Sequence, residues 1–328
     1  MDSAPPPVLV ARALKKGDPV ALVSPAGPTR DRPAVEAGIA KLKSWGLEPI
    51  LFRNAFASHG FLAGNDDRRL EDLQSAISDP KWRAIWCVRG GYGVTRLLDR
   101  LDLRPLARDP KPIIGYSDIT ALHVAVRETV GLVGFHGPMM GHLGPDSLNA
   151  ENESLLRKLL FGEPVGLYTP NPQDPPPHVM REGVAEGPLV GGNLALLSAL
   201  AGTTWAPKFA GSLVFIEDVE EPPYRIDRML TQLLQATDLR KAAGIVLGDF
   251  ARAGAPEGTE TTDLMWVLKD RLADLGIPVA YGFPFGHRRH VWTLPHGLPA
   301  KLDASDLRKT PTLRLLYLAV SGPRARGR

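Results

Sequence analysis

Short apolar runs alternate with amphipathic, helix-forming segments through the first half of this chain. Strands that alternate with helices are typical of a parallel sheet covered by helices on both faces. Ligands bind such sheets beyond the carboxyl ends of the strands, so the loops after Val23, Val88, Gly115 and Phe135 are the first candidates for a site. The predicted strands cover residues 20–23, 49–52, 84–88, 113–114 and 132–135, and the predicted helices cover 33–45, 66–77, 94–101, 119–129 and 151–160.

The length of the chain, 328 residues, exceeds the usual size of one domain and predicts two. Six prolines between residues 162 and 178 indicate an extended connection. We expect an N-terminal α/β domain with a parallel sheet over 1–163, a Pro-rich connection over 164–180, and a smaller mixed α/β C-terminal domain over 181–328. In that second half, helices are predicted over 194–200, 225–236 and 263–275, and strands over 212–216, 244–247, 291–294 and 312–318.

The composition limits the classes of partner and site. A formal net charge of +3 provides no strong attraction to nucleic acid. The single cysteine, Cys87, allows neither an intrachain disulfide nor a cysteine-based zinc site, and its apolar neighbours predict a buried strand position. The first residues lack the basic and apolar regions of a signal peptide, and no apolar run is long enough to span a bilayer. We therefore expect a cytoplasmic protein with no nucleic-acid or membrane partner.

Ser117 lies between the apolar run Ile113-Ile114 and an amphipathic helical pattern. A serine at such a strand-to-helix junction exposes its hydroxyl at the sheet edge, beside backbone N–H groups and the positive end of the helix dipole. An acyl-transfer enzyme would place its nucleophile there. The structural alternative is that Ser117 simply caps the helix.

A glycine-rich loop, Arg89-Gly90-Gly91-Tyr92-Gly93, directly follows the predicted strand that contains Cys87. Closely spaced glycines allow backbone N–H groups to approach an anion or an oxyanion. The G-x-G-x-x-G spacing and the distant acid of a dinucleotide site are both missing. A plain tight turn is the alternative.

Two segments of the second half contain acids and histidines. Glu217 ends the apolar run that starts at Leu213, and a carboxylate held there by buried neighbours needs a partner such as a histidine. His287 and His290 follow Gly286, but the H-E-x-x-H arrangement of a zinc site is absent and no carboxylate accompanies them, so we predict no metal site.

Together these segments contain a nucleophile, an acid, a base and oxyanion donors, which are the components of acyl transfer. The order serine, acid, histidine also occurs in α/β-hydrolases, but Ile119 replaces the last glycine of their G-x-S-x-G elbow. The sequence therefore differs from a normal α/β-hydrolase.

The chain resembles the LD-carboxypeptidase family of serine peptidases, which includes the microcin-immunity peptidases. The resemblance extends over nearly the whole chain, from Ser24 to Pro295. It rests on the loop Arg89–Gly93 and on Gly115-Tyr116-Ser117-Asp118, His136-Gly137-Pro138, Gly191-Gly192-Asn193-Leu194, Glu217-Asp218 with Arg225-Ile226-Asp227-Arg228, and Gly286-His287.

The resemblance implies a role for particular residues. Ser117 matches the nucleophile, His287 the general base and Glu217 the acid that orients the base, while the backbone amides of Gly91 and Asp118 match the oxyanion hole. It also implies an active site between the two domains, a homodimer, cytoplasmic action and no cofactor. His290 is the rival for the base, and Arg288 and Arg289 would disfavour protonated His287 if their guanidinium groups pointed inward.

The substrate implied by the resemblance is a murein tetrapeptide, from which such enzymes remove the terminal D-alanine during cell-wall recycling. The substrate carboxylate needs a cation, for which Arg89, Arg225 and Arg228 are candidates; each is otherwise a solvated surface residue. Tyr92 is a further candidate binding residue.

Two other functions stay open on the sequence. A microcin-immunity-type peptidase would cleave an aspartyl-nucleotide amide and would need an aromatic platform such as Tyr92, Trp205 or Trp292. A non-catalytic anion- or nucleotide-binding module would use only the loop around Gly90 and Gly91.

Overall fold

The computed structural model describes residues 6–144, 147–254 and 263–322. Its strands are β1 (Pro19–Val23), β2 (Glu48–Leu51), β3 (Ala84–Cys87), β4 (Ile113–Gly115), β5 (Gly134–His136), β6 (His178–Arg181), β7 (Gly183–Asn193), β8 (Leu213–Val219), β9 (Gly244–Ala251), β10 (Val279–Tyr281), β11 (Leu294–His296), β12 (Pro299–Ala304) and β13 (Thr312–Leu315). Its α-helices are α1 (Arg32–Ser44), α2 (Asp66–Ser78), α3 (Pro105–Arg108), α4 (Thr120–Val130), α5 (Ala150–Phe161), α6 (Leu194–Leu200), α7 (Pro223–Ala236) and α8 (Leu264–Leu272).

The chain forms two compact units. The first contains the chain up to Pro164, the segment Trp292–Gly297 and the chain from Leu318 onward, and the second contains Val165–Val291 and Leu298–Tyr317. The expected boundary at residue 163 lies beside the observed change of unit after Pro164. The end of the chain differs from the expectation, because β11 belongs to the first unit although it follows most of the second in sequence.

The first unit is built on a six-stranded sheet with the order β11-β5-β4-β3-β1-β2. Neighbouring strands from β5 to β2 are parallel, as predicted, and β11 is antiparallel to β5. Every residue of β3, β4 and β5 is buried, which explains why these strands are continuous apolar runs without alternation. Cys87 is buried in β3, as predicted, and burial raises the pKa of its thiol.

The second unit is built on a seven-stranded sheet with the order β13-β12-β7-β8-β9-β10-β6. The strands from β7 to β10 are parallel, and β12, β13 and β6 pair antiparallel. The Pro-rich segment expected over 164–180 is partly bound to this sheet: the Tyr168 N–H donates to the Leu313 carbonyl at 2.9 Å. The mixed α/β class expected for the second half is confirmed.

Local sequence signals set most helix ends. The side chains of Asp31, Asn65, Asn149 and Asp263 cap the N-termini of α1, α2, α5 and α8. Gly131, at φ 72°, ends α4 in the left-handed conformation that glycine adopts without strain. Residues 94–101, predicted as one helix, instead form two short 3₁₀ turns, Val94–Arg96 and Leu98–Arg100.

Candidate active site

Ser117 follows β4 and starts a 3₁₀ turn, Ser117–Ile119, that leads directly into α4. Its φ of 63° lies in the left-handed region, which residues other than glycine rarely occupy. The N-cap positions of the turn and of α4 are Tyr116 and Ile119, and neither is capped by a side chain. Ser117 therefore lies at a sharp strand-to-helix bend and does not serve as the helix cap.

The glycine-rich loop lies against Ser117. A β-carbon on Gly90 would lie 3.0 Å from Ser117 Cβ and 3.2 Å from Ser117 Oγ. On its other side, the Gly27 N–H donates to the Gly90 carbonyl at 2.9 Å, and a β-carbon on Gly27 would lie 2.9 Å from that carbonyl oxygen. The loops after β1 and β3 thus meet backbone to backbone, and the Ser117 side chain after β4 lies against the loop after β3.

A buried carboxylate and a buried guanidinium hold the glycine-rich loop in place. Asp118 Oδ2 accepts a hydrogen bond from the Val94 N–H at 2.9 Å. Arg69, 1% exposed, donates to the Gly93 carbonyl at 2.8 Å and to the Pro25 carbonyl. Burial raises the pKa of Asp118 to about 6, although the Val94 hydrogen bond and the Arg69 charge oppose the increase.

The predicted acid and base, Glu217 and His287, are in contact within the second unit. Glu217 is fully buried near the end of β8, and its Oε2 lies 2.7 Å from His287 Nδ1. A β-carbon on Gly286 would lie 2.8 Å from Glu217 Cβ, so a glycine is required beside this contact. Burial lowers the pKa of His287, but the hydrogen bond to Glu217 and the charges of Glu217, Asp218 and Asp249 outweigh it, so the pKa is raised overall.

Asp218 supports the same strand end. Its Oδ1 accepts from Asn193 Nδ2 at 3.0 Å, and its Oδ2 accepts from the Ala195 N–H at 2.9 Å. Burial raises the pKa of Asp218 to about 6, and the neighbouring Glu217 charge adds to the increase. This carboxylate links β8 to the first turn of α6 beside Glu217.

The charges around His287 include one carboxylate that the sequence reasoning missed. Burial and the Glu217 charge raise the pKa of Asp249. The charges of Arg288 and His287 oppose them, but the pKa is raised overall. Arg288 itself is paired with Asp174 at 2.8 Å. The pKa of His287 is raised overall, so the neighbouring arginines do not suppress its protonated form.

The four predicted substrate-binding residues are exposed, in different surroundings. Arg89 donates to the Pro28 carbonyl, and Tyr92 is 46% exposed. Arg225, on α7, is paired with Glu221 at 3.0 Å, and the Arg228 guanidinium lies 5.8 Å from the centre of the Tyr224 ring.

The structure brings some of the predicted residues together within each unit. Ser117, Gly91, Asp118, Arg89 and Tyr92 belong to the first unit. The second unit contains the predicted acid and base in hydrogen-bonding contact, together with both α7 arginines: Glu217, His287, Arg225 and Arg228.

Two supporting residues were missed for different reasons. Asp249 follows the predicted strand 244–247, and the same strand-end argument that selected Glu217 would have selected it. Arg69 lies in a charged helix start, Asp66-Asp67-Arg68-Arg69, where no local pattern separates the one buried charge from the exposed ones.

The described part of the chain contains neither a metal-ligand cluster nor a membrane-spanning helix. Among residues 6–144, 147–254 and 263–322, no three or more histidine, cysteine or acidic side chains are grouped so that they could hold a metal ion. In the same ranges no helix combines the length and the apolar character needed to cross a membrane.

Comparison with protein families identifies the family of both halves of the chain. Residues 20–137 match the model of the LD-carboxypeptidase N-terminal domain, and residues 186–302 match that of the LD-carboxypeptidase C-terminal domain. The murein tetrapeptide carboxypeptidase of Pseudomonas aeruginosa is 36% identical over 88% of this chain and 94% of its own length.

Two solved structures share the fold of this chain. The muramoyltetrapeptide carboxypeptidase from Oxalobacter formigenes has a TM-score of 0.75 and 32% identity, over 93% of this chain and 99% of its own. The microcin C7 self immunity protein, solved with aspartyl sulfamoyl adenosine, has a TM-score of 0.84 and 24% identity, over 95% and 100% of the two chains, and at that identity it shows the fold alone. On the two family models and the identity to a murein tetrapeptide carboxypeptidase, this chain belongs to the LD-carboxypeptidase family.

Proposed function

We propose that this protein is a serine carboxypeptidase that hydrolyses the terminal L,D-amide of murein tetrapeptides and releases D-alanine. Membership of the LD-carboxypeptidase family and the names of its relatives support this substrate class. The observation that carries the proposal is the 2.7 Å contact between Glu217 Oε2 and His287 Nδ1, because a carboxylate on Nδ1 directs the opposite nitrogen, Nε2, to a hydroxyl.

In this proposal Ser117 attacks the scissile carbonyl carbon while His287 takes the hydroxyl proton on Nε2. Glu217 holds the imidazole tautomer and stabilises the cation that forms. His287 then returns the proton to the leaving amine as the C–N bond breaks. Water, deprotonated by the same imidazole, hydrolyses the acyl-enzyme and regenerates Ser117.

The backbone amides of Gly91 and Asp118 are the proposed oxyanion hole. The contact of Gly90 with Ser117 and the position of Asp118 next to it support this choice. Loss of one such donor typically costs about 10²- to 10³-fold in rate. Asp118 would thus contribute its amide to the oxyanion and its carboxylate to the Val94 N–H that holds the loop.

Substrate binding requires a cation for the terminal carboxylate, since a carboxypeptidase selects a free chain end. Arg89 and Tyr92 are the proposed binding residues of the first unit, and Arg225 and Arg228 those of the second. Arg225 and Arg228 lie one turn apart on α7, so they can share a face of that helix.

The decisive test replaces the nucleophile. Ser117→Ala should fold normally and lose at least about 10³-fold in release of D-alanine from murein tetrapeptide, measured by mass spectrometry as loss of one alanine. Ser58→Ala, an exposed serine of the same unit, is the matched control and should keep the wild-type rate. Wild-type turnover by Ser117→Ala would contradict the mechanism.

A covalent probe separates an enzyme from a binding module. A serine-directed fluorophosphonate should label Ser117, and His287→Ala should lose this labelling because the hydroxyl is then no longer activated. A module that only binds an anion through the glycine-rich loop would show neither tetrapeptide turnover nor labelling.

The second candidate is a microcin-immunity-type peptidase. The exposure of Tyr92 favours it, because a nucleobase needs an accessible aromatic platform. Trp292, a candidate platform on sequence, is only 4% exposed. Parallel assays on murein tetrapeptide and on an aspartyl-nucleotide amide would decide between the two activities.

The proposed setting is the cytoplasm, where the enzyme would act in cell-wall recycling as a homodimer on murein peptides, without a cofactor. The chemistry above takes its groups from side chains and backbone amides. Light scattering on the purified chain would test the dimer.

A further inference from the structure

A pocket of about 660 Å³ lies on the first unit beside the loop that contacts Ser117. Its walls include Phe61 and Tyr92, which are 67% and 46% exposed and whose ring centres are 5.7 Å apart. Arg30 and Arg89 also line it. Gly91, the proposed oxyanion donor, belongs to the same lining, so the pocket adjoins the proposed reaction centre.

The pocket is much larger than D-alanine requires. A volume of 660 Å³ is in the range that holds a drug-sized ligand, whereas the leaving residue of a murein tetrapeptide has a single methyl side chain. An exposed pair of aromatic rings is also an uncommon way to line a site for a methyl group. Such a pair binds another ring, in offset-stacked or edge-to-face contact.

The charges of the pocket indicate which part of a peptide it binds. Arg30 and Arg89 favour a carboxylate. No acidic or amide side chain is among the described residues that line it. An ammonium group, such as that of the diaminopimelate side chain, would be repelled, and a sugar would have few polar partners. The terminal residue, with a carboxylate and no amine on its side chain, fits best.

We propose that this pocket binds the terminal residue of the substrate and accepts a large aromatic side chain there, so that the enzyme also releases terminal aromatic D-residues. The ring would contact Phe61 and Tyr92, and the carboxylate would pair with Arg30 or Arg89. The reaction is the same hydrolysis: water is consumed, the C–N bond breaks, and a free aromatic D-amino acid leaves. This inference rests on the proposed function for its turnover, but the binding claim is independent of it.

Calorimetry on the Ser117→Ala protein tests the binding claim without catalysis. N-acetyl-D-phenylalanine should bind at least about tenfold more tightly than N-acetyl-D-alanine, because of its ring. N-acetyl-D-phenylalaninamide, which lacks the carboxylate, should bind about tenfold more weakly than the acid. Equal affinity for the two acids would overturn the proposal.

Two substitutions in the same background separate the ring from the carboxylate. Phe61→Ala should weaken the binding of N-acetyl-D-phenylalanine about tenfold, whereas the double variant Arg30→Gln/Arg89→Gln should weaken the binding of both acids. Tyr317→Ala is the matched control, since Tyr317 is also an aromatic residue that is 67% exposed, and it belongs to the other unit. A ratio of the two affinities that is unchanged by Phe61→Ala would overturn the assignment of the ring site.

Adenosine monophosphate tests the alternative that the pocket binds a nucleotide. If it binds more tightly than N-acetyl-D-phenylalanine, and if Phe61→Ala abolishes that binding, the proposal is overturned in favour of a nucleotide.

Turnover then distinguishes this inference from the proposed function. Wild-type enzyme should release D-phenylalanine from a tetrapeptide ending in that residue with a kcat/KM at least equal to that for D-alanine. Release of D-alanine alone would overturn the inference and leave the proposed function standing. Absence of any release, with the binding ratios as expected, would contradict the proposed function and leave the pocket assignment intact.

Discussion

Ser117 occupies a backbone conformation that is unfavourable for a residue with a β-carbon. Such strain costs about 1–3 kcal/mol and persists where the surroundings enforce it, commonly at functional sites. Here Gly90 packs against the Ser117 side chain and α4 begins three residues later. The bend exposes a hydroxyl beside a loop of backbone amides at the expense of stability.

Replacing Ser117 by glycine should therefore stabilise the protein while removing activity. Ser117→Gly relieves the left-handed strain, and we expect its free energy of unfolding to exceed that of Ser117→Ala by about 1 kcal/mol. Both variants lack the hydroxyl and should be inactive. Urea unfolding of the two proteins measures the difference, and a less stable glycine variant would contradict the role assigned to strain.

His287 provides a prediction about pH. A general base must be neutral, so kcat/KM should fall as the pH falls through the pKa of His287, which is raised above its ordinary value. Glu217→Gln removes the main stabilisation of the imidazolium, so the acid limb of the pH profile should move to lower pH. At pH values above that limb, kcat/KM of Glu217→Gln should be about 10³- to 10⁴-fold below wild type, because a glutamine amide does not set the imidazole tautomer as the carboxylate does.

A neighbouring carboxylate is the control for this change. Glu220 is exposed and paired with Arg252, so Glu220→Gln should leave the pH profile unchanged. If the acid limb lies at the same pH in wild type and in Glu217→Gln, the group that titrates is not His287 paired with Glu217, and the prediction is wrong.

At the scale of elements, three loops are joined at the carboxyl ends of β1, β3 and β4. A β-carbon on Gly27 would lie 2.9 Å from the Gly90 carbonyl oxygen, and one on Gly91 would lie 3.1 Å from Gly27 Cα, so the approach of these two loops requires glycine on both sides. Arg69 then donates to the Gly93 carbonyl, and Asp118 accepts from the Val94 N–H, which holds the residues that follow in this loop. The position of the proposed oxyanion amide at Gly91 thus depends on a carboxylate that is costly to keep ionised.

The raised pKa of Asp118 predicts how stability changes with pH. The folded carboxyl, with a pKa of about 6, binds its proton more readily than the unfolded one, whose ordinary value is 3.8. Folding is therefore favoured by this group at low pH, and its contribution falls by about 2 kcal/mol as the pH rises from 4 to 7.

Asp118→Asn tests this expectation, because it retains an oxygen that can accept from the Val94 N–H. Between pH 4 and 7, its free energy of unfolding should rise by about 2 kcal/mol relative to wild type. Urea unfolding at both pH values measures the change. Parallel pH dependence in the two proteins would mean that the Asp118 carboxylate does not carry this cost.

At the scale of the whole molecule, the chain returns to its first unit near its end. β11 pairs antiparallel with β5, and Leu294 and His296 are fully buried there. Ser321 exchanges backbone hydrogen bonds with Ala11 and Ala13, at 2.8 and 3.0 Å. The first unit is thus incomplete without Trp292–Gly297 and the segment from Leu318, which come after most or all of the second unit in sequence.

A fragment ending at Pro164 should therefore be less stable than the first unit of the whole chain. Loss of β11 leaves the edge of β5 unpaired, which favours aggregation. Size-exclusion chromatography and thermal unfolding should show an aggregating species with a lower melting temperature. Tethering Trp292–Gly297 to the fragment should restore part of the stability, whereas the same tether with Leu294→Asp should not; a monomeric fragment as stable as the whole chain would contradict the interpretation.

The sequence by itself determined the fold class and the candidate residues for acyl transfer, because both depend on patterns of neighbouring residues. Continuous apolar runs specify buried parallel strands, and Ser117, Glu217 and His287 each stand beside such a run or a glycine turn. β7 escaped prediction, since its glycines and Pro188 resemble a loop; Gly191 fits there because a β-carbon would lie 1.8 Å from the Phe215 carbonyl oxygen. Only the tertiary structure decided that Glu217 contacts His287, that Arg69 is buried under the glycine-rich loop, and that β11 belongs to the first unit. These are contacts between residues far apart in the chain, which depend on how strands are ordered in a sheet and leave no trace in local periodicity.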